Sequence, residues 1–198
     1  MTWYTSRIWG ECMTHEEMKR KVLALIEELN PNNPNLTDDP DISAKYIYVA
    51  NQVMFELARL KKIAKYVEMA VGKGELVDFK KIGEAVGYEV HQLSNVSGVR
   101  YEPKANGTVL KILEDGTAEI DCFVFPKQIT EKTSGGFELE LPADVLEIMP
   151  YGIAADLLKS DISTEYGSIY ATRYETMLQR LDPRNFMPSI CVEGGVRI

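Results

Sequence analysis

The sequence predicts an α+β fold: a helical bundle formed from N- and C-terminal helices, an inserted small antiparallel β-sheet or sandwich, and an extended C-terminal arm. Three observations predict it. Apolar residues recur at helical spacing before residue 63 and again after residue 141, alternate at a period of two between those points, and follow no period after residue 183. An amphipathic helix must cover its apolar stripe, so helical ends flanking a β segment pack most simply on each other. The parts expected are an N-terminal arm and helical hairpin over 1–62, a β-rich insert over 63–141, helices completing the bundle over 142–183, and a docking arm over 184–198.

The first helix is announced by Thr14-His15-Glu16-Glu17, a capping box in which threonine and glutamate satisfy each other's exposed amides. Met18, Val22, Leu25, Ile26 and Leu29 follow on one face, and Asn30-Pro31 is expected to stop it. Asp39-Pro40 opens the second helix, with proline at a position where its missing N–H costs nothing. Its stripe is Ile42, Tyr46, Val49, Val53, Leu57 and Leu60, and Lys61-Lys62 sit where the helix dipole favours cations. The two helices are expected to form an antiparallel hairpin.

Strand-like runs occupy 66–71, 88–91, 108–112 and 118–125, separated by Gly72-Lys73-Gly74, Asn106-Gly107 and Asp115-Gly116. Asp115-Gly116 reads as the strongest hairpin signal, and Phe137 to Leu141 as a last strand. Pro142-Ala143-Asp144 restarts a helix that buries Val145, Leu146, Met149, Ile153, Leu157 and Leu158, with Pro150 dividing or kinking it. Ser160-Asp161 is expected to cap a final helix carrying Ile162, Tyr166, Ile169, Tyr170, Met177, Leu178 and Leu181, ended by Asp182-Pro183.

With 198 residues, 45% hydrophobic and 26% charged, the chain can bury a real core. Its formal charge of -8 argues against tight nucleic-acid binding, which draws its affinity from cations that displace counterions. Cys12, Cys122 and Cys191 are far apart and odd in number, and read as reduced thiols of a cytoplasmic product. Residues 1–13 are apolar in places (Trp3, Tyr4, Ile8, Trp9) but interrupted by Arg7 and Glu11, and are expected to be neither signal peptide nor membrane span.

No residue pattern announces catalysis, a cofactor or a metal. His15 lies in a helix cap and His91 in a strand, each without a ligand pattern around it, and both read as structural. Gly72-Lys73-Gly74 lacks the spacing of a phosphate cradle. Glu119 and Asp121 share a strand face, where a carboxylate pair could do acid–base work or hold a cation, but alternation with Ile120, Cys122 and Val124 reads as a solvated sheet face. Glu138 and Glu140 alternate in the same way. Tyr166, Tyr170 and Tyr174 spread over more than one side of the last helix, and are subunit-interface candidates because such a helix tends to bury two faces. The second face meets the first hairpin of the same chain, a neighbouring copy, or both.

Three passages carry a resemblance to a known family. They are the 46–53 run Tyr-Ile-Tyr-Val-Ala-Asn-Gln-Val, the strand-then-helix passage from Phe137 to Leu146 with its continuation Tyr151 to Leu158, and the final Tyr170 to Leu178. In organisation the chain resembles the head-to-tail connector, or adaptor, proteins of tailed bacteriophages, which form the ring beneath the portal. The opening stretch with Trp3, Tyr4, Ile8 and Trp9 has no counterpart there. The resemblance implies a structural virion protein, with no enzymatic activity and no cofactor. It also implies a ring of twelve copies docked on the portal protein, with tail or nozzle proteins on the other side, DNA passing through without tight binding, no membrane, and a location in the neck of the particle. Phe186, Met187, Pro188, Ile190 and Val192 would then be the portal-binding residues of the arm. A short arm gains affinity when repeated around a ring, and an acidic lumen repels duplex phosphates. Three other readings are another neck or tail-completion protein, a module whose β insert recognises a glycan or protein, and an enzyme using the strand carboxylates.

Overall fold

The computed structural model describes residues 13–159 and 165–181. The elements are α1 (His15–Leu25), α2 (Pro40–Leu60), β1 (Ile63–Val71), β2 (Leu76–Asp78), α3 (Phe79–Val86), β3 (Val90–Ser97), β4 (Tyr101–Lys104), β5 (Val109–Ile112), β6 (Gly116–Val124), α4 (Ala143–Leu146), α5 (Met149–Leu158) and α6 (Tyr166–Leu181). The fold is α+β, with helices from both ends around a β segment.

The capping signals at the two opening helices form as written. Thr14 Oγ1 accepts the Glu17 amide at 3.2 Å while Glu17 Oε2 accepts the Thr14 amide at 2.8 Å. Asp39 Oδ1 takes the amides of Asp41 and Ile42 at 2.7 and 3.2 Å, with Pro40 opening α2. α1 stops a turn earlier than Asn30-Pro31 implies. Glu27 turns left-handed at φ 62, and the Glu28 amide bonds back to the Leu23 carbonyl at 2.9 Å, a Schellman-type closure. The 30–38 loop is then tied by Asn30 and Asn33, whose side-chain amides donate to the Asp38 carboxylate at 2.7 and 2.8 Å.

α1 and α2 of the expected hairpin touch through side chains, His15 stacking on Tyr46 and Lys19 bonding to Ser43, and both helices pack mainly on α5. α5 lies against α1, α2 and α6 and is the helix around which the others gather. Its apolar character on several sides explains this: Met149, Gly152, Ile153, Ala154 and Leu157 are all buried, and a helix apolar around most of its circumference must be covered by several neighbours. Pro150 divides this region as expected, with α4 ending at Leu146 and α5 starting at Met149. Val145, Leu146, Met149, Ile153 and Leu157 are buried, as their spacing predicts, whereas Leu158 is only half-buried and Leu60 of α2 is half exposed.

The middle of the chain folds around a separate apolar cluster that includes Val77, Ile82, Leu110, Ile112, Ile120, Cys122 and Val124. Two three-stranded antiparallel sheets enclose it, ordered β1-β6-β3 and β2-β5-β4. β5 and β6 therefore belong to different sheets, and Asp115-Gly116 is not the hairpin its sequence announces. It is a crossing between sheets, and the Asp115 carboxylate instead accepts the Lys73 amide at 2.7 Å. The hairpin forms at the weaker-looking Asn106-Gly107, where residues 105–107 all take positive φ between β4 and β5.

α3 departs from the all-β expectation for this segment. Asp78 caps it by accepting the Lys81 amide at 2.8 Å, and Gly87 ends it at φ 75. The expected strand over 137–141 is reduced to one bridge, Thr14 with Glu138. Phe137 and Leu139 bond to the backbone at His15 and Met13 (2.8 and 3.0 Å), so the segment ties the start of α1 to the entry of α4. Phe125, Ile129, Leu139 and Leu141, which connect β6 to α4, are buried in the helical core.

Candidate functional site

Three surfaces carry side chains that sequence or structure singles out. The first is α6. Tyr174 is buried against α5, its ring so close to Gly152 that a Cβ there would meet it at 2.8 Å. Its hydroxyl donates to Glu56 Oε2 at 3.3 Å, and burial, with the nearby Glu56 carboxylate, pushes its ionisation upward. Tyr170 is half-buried and donates to the Leu25 carbonyl at 2.6 Å. Tyr166, at 52% exposed, stacks on Tyr170 with ring centroids 6.5 Å apart, and Ile169 beside it is 53% exposed. α6 thus presents one tyrosine to α5, one to the end of α1 and one to solvent. A shallow groove of about 520 Å³ follows its outer side past Ile169, Arg173, Met177 and Arg180. The Ser160-Asp161 cap, Ile162, the Asp182-Pro183 stop and the arm residues Phe186, Met187, Pro188, Ile190 and Val192 lie outside the described residues, as do Cys12, Cys191 and the tryptophans.

The second surface is a cleft of about 520 Å³ between the start of α1, the 34–36 loop and the 130–135 segment, walled by His15, Lys19, Ser43 and Tyr46. Capping places His15 at the first position of α1, where it is buried and stacks on Tyr46 at 5.8 Å. Neither His15 nitrogen nor the Tyr46 hydroxyl finds a hydrogen-bond partner among the described residues. Burial, then the neighbouring Lys19 charge, holds the imidazole below its ordinary value, and burial lowers the Lys19 ammonium too.

Lys19 Nζ donates to Ser43 Oγ at 3.2 Å, the pairing a serine nucleophile with a lysine base would need. The rest of such a site does not form. The α2 amides of Asp41 and Ile42, which could stabilise an oxyanion, are already held by Asp39, and the Lys19 ammonium rests 5.6 Å from the Tyr46 ring centroid. The cleft can hold a polar group, and among the described residues it carries no complete acyl-transfer geometry.

The third surface is the β1-β6-β3 sheet. Glu119 and Asp121 share its outward face, with Ala118, Ile120 and Cys122 buried behind them. Register places Glu68 opposite Glu119 and Tyr66 opposite Asp121, company that alternation alone could not reveal because it depends on strand pairing. Burial raises the Cys122 thiol. Among the described residues no group of three or more His, Cys, Asp or Glu side chains is placed to hold a metal ion, and no described helix is long and apolar enough to cross a membrane.

Neither protein-family models nor curated protein sequences give a match to this chain.

Proposed function

We propose that this chain is a structural subunit of the adaptor ring between portal and tail in a tailed bacteriophage particle. The observation that carries the reading is the combination of a closed helical core with apolar surface left over at its end. α1 and α2 from one half of the chain and α5 from the other share one core, the β segment has its own, and α6 still exposes Tyr166 and Ile169. A helix that buries one face in its own chain and leaves aromatic and aliphatic groups on another has surface that assembly can cover. In this reading Tyr166 and Ile169 face a neighbouring copy, Tyr170 and Tyr174 hold α6 in place, and the arm with Phe186, Met187, Pro188, Ile190 and Val192 docks on the portal. The acidic chain lets DNA pass without sticking.

Removing residues 183–198 tests it. The truncated chain is expected to keep its far-UV circular dichroism and lose association with portal-bearing particles. A truncated chain that joined particles normally would contradict the docking role of the arm.

A further inference from the structure

The groove on the outer side of α6 runs to the end of that helix, where the chain continues into its C-terminal residues. Ile169, Thr172, Arg173, Thr176, Met177 and Arg180 line it as one stripe at helical spacing, and no carboxylate joins them. Arg173 is laid over the Tyr151 ring at 4.3 Å. Among the described residues neither Arg173 nor Arg180 has a carboxylate within ion-pair distance, whereas Arg20, Lys61, Lys81, Arg100 and Lys104 each have one. In a chain of net charge -8, this is an apolar strip with two uncompensated guanidinium groups. It is complementary to an apolar occupant that brings an anion.

The sequence after α6 has that chemistry. α6 ends at Leu181, and Phe186, Met187, Ile190 and Val192 follow Asp182-Pro183, with Glu193 behind them. The lengths match as well. A helix of 16 residues is about 24 Å long at about 1.5 Å per residue, and an extended chain gains about 3.3 Å per residue, so about seven residues retrace it. Counted back from a turn at 182–184, Phe186 and Met187 come level with the stretch between Arg180 and Met177, and Ile190 comes level with Ile169. Glu193 then falls just past the amino end of α6, where the helix dipole favours an anion.

We propose that in the free chain residues 185–193 fold back along α6 and fill this groove, with Phe186, Met187 and Ile190 covering Met177 and Ile169. The fold-back needs only this chain. What releases the arm rests on the adaptor reading above: docking of the arm on the portal uncovers Ile169 for the neighbouring copy, so the two contacts form in that order.

A disulfide trap in the full-length chain tests it. Ile169→Cys and Ile190→Cys are combined with Cys191→Ser, the protein is oxidised with copper phenanthroline, and the linked cysteines are assigned by peptide mass mapping. The control carries Leu76→Cys, on the exposed part of β2, in place of Ile169→Cys; Thr172→Cys replaces Ile169→Cys should that variant fail to fold. A link between 169 and 190 is expected within a chain that sediments as a monomer. It should form at least about tenfold faster than the control link, because an arm held in the groove keeps the two thiols at high effective concentration.

Linking no faster than the control, or linking found only in covalent dimers whose arms lie on another copy, would overturn the fold-back. The purified chain suffices for this result, so it separates from the adaptor reading. Fast linking in a protein whose wild-type form joins no particle would keep the fold-back and retire the adaptor, and a protein that joins particles without fast linking would do the reverse.

Discussion

Asn51 takes the place of a strand partner where no strand runs. Its side-chain amide donates to the Ile129 carbonyl and its oxygen accepts the Ile129 amide, both at 2.8 Å, fixing the link after β6 onto α2. Ile129 is buried, so Asn51→Ala leaves two backbone groups with water poorly placed to replace the amide. We expect a loss of about 2–3 kcal/mol in chemical denaturation. The residue lies in the 46–53 run that the sequence singles out, but no local pattern says that its partner is 78 positions away.

The two histidines act in the same direction on stability. Burial, joined by Lys19 at His15 and by Arg59 and Lys62 at His91, lowers both from the ordinary 6.5. Above that value both folded and unfolded chains are neutral there. As pH falls through it the unfolded chain takes up protons first, so stability drops between 6.5 and the lower folded values. Denaturation midpoints at pH 7.5 and 5.5 should therefore differ, and His15→Gln should narrow the gap; an unchanged gap would show that His15 titrates as if exposed.

Among the elements, α6 shows how close packing fixes one face of a helix and leaves another exposed. Gly152→Ala would ordinarily favour α5 by up to about 1 kcal/mol, but here the added carbon meets the Tyr174 ring at 2.8 Å. We expect a net loss of about 1–3 kcal/mol, partly recovered by adding Tyr174→Leu; a gain in stability would mean that α6 moves freely on α5. α3 shows the converse lesson about reading. Asp78 and Gly87 are ordinary start and stop signals, yet between them stand only eight residues, too short for periodicity to outweigh the strands on either side.

At the scale of the molecule, the helical ends, the cap at each opening helix and the break at Pro150 are all written locally, and they form as read. What sequence leaves open is long-range pairing. Asp115-Gly116 has the chemistry of a tight hairpin, but β5 finds β2 and β4 while β6 finds β1 and β3, because burying Ile112 and Ile120 in one cluster from two sheets covers more apolar surface than one hairpin could. The central place of α5 and the meeting of Glu68 with Glu119 across β1 and β6 depend on the same distant pairings. Spacing marks Tyr166, Tyr170 and Tyr174 but not that Tyr174 packs on α5 and Tyr170 on the end of α1, while Glu68 meeting Glu119 needs register and Lys65 meeting Lys127 on Tyr88 needs the path of the chain after β6.

The central claim is that this chain closes into a ring beneath a portal. Electron cryomicroscopy of the particle neck tests it most directly. The account predicts a ring of copies there, each with Tyr166 and Ile169 of α6 against the next copy. A neck reconstruction in which the density below the portal fits other chains, with this one absent, would contradict it.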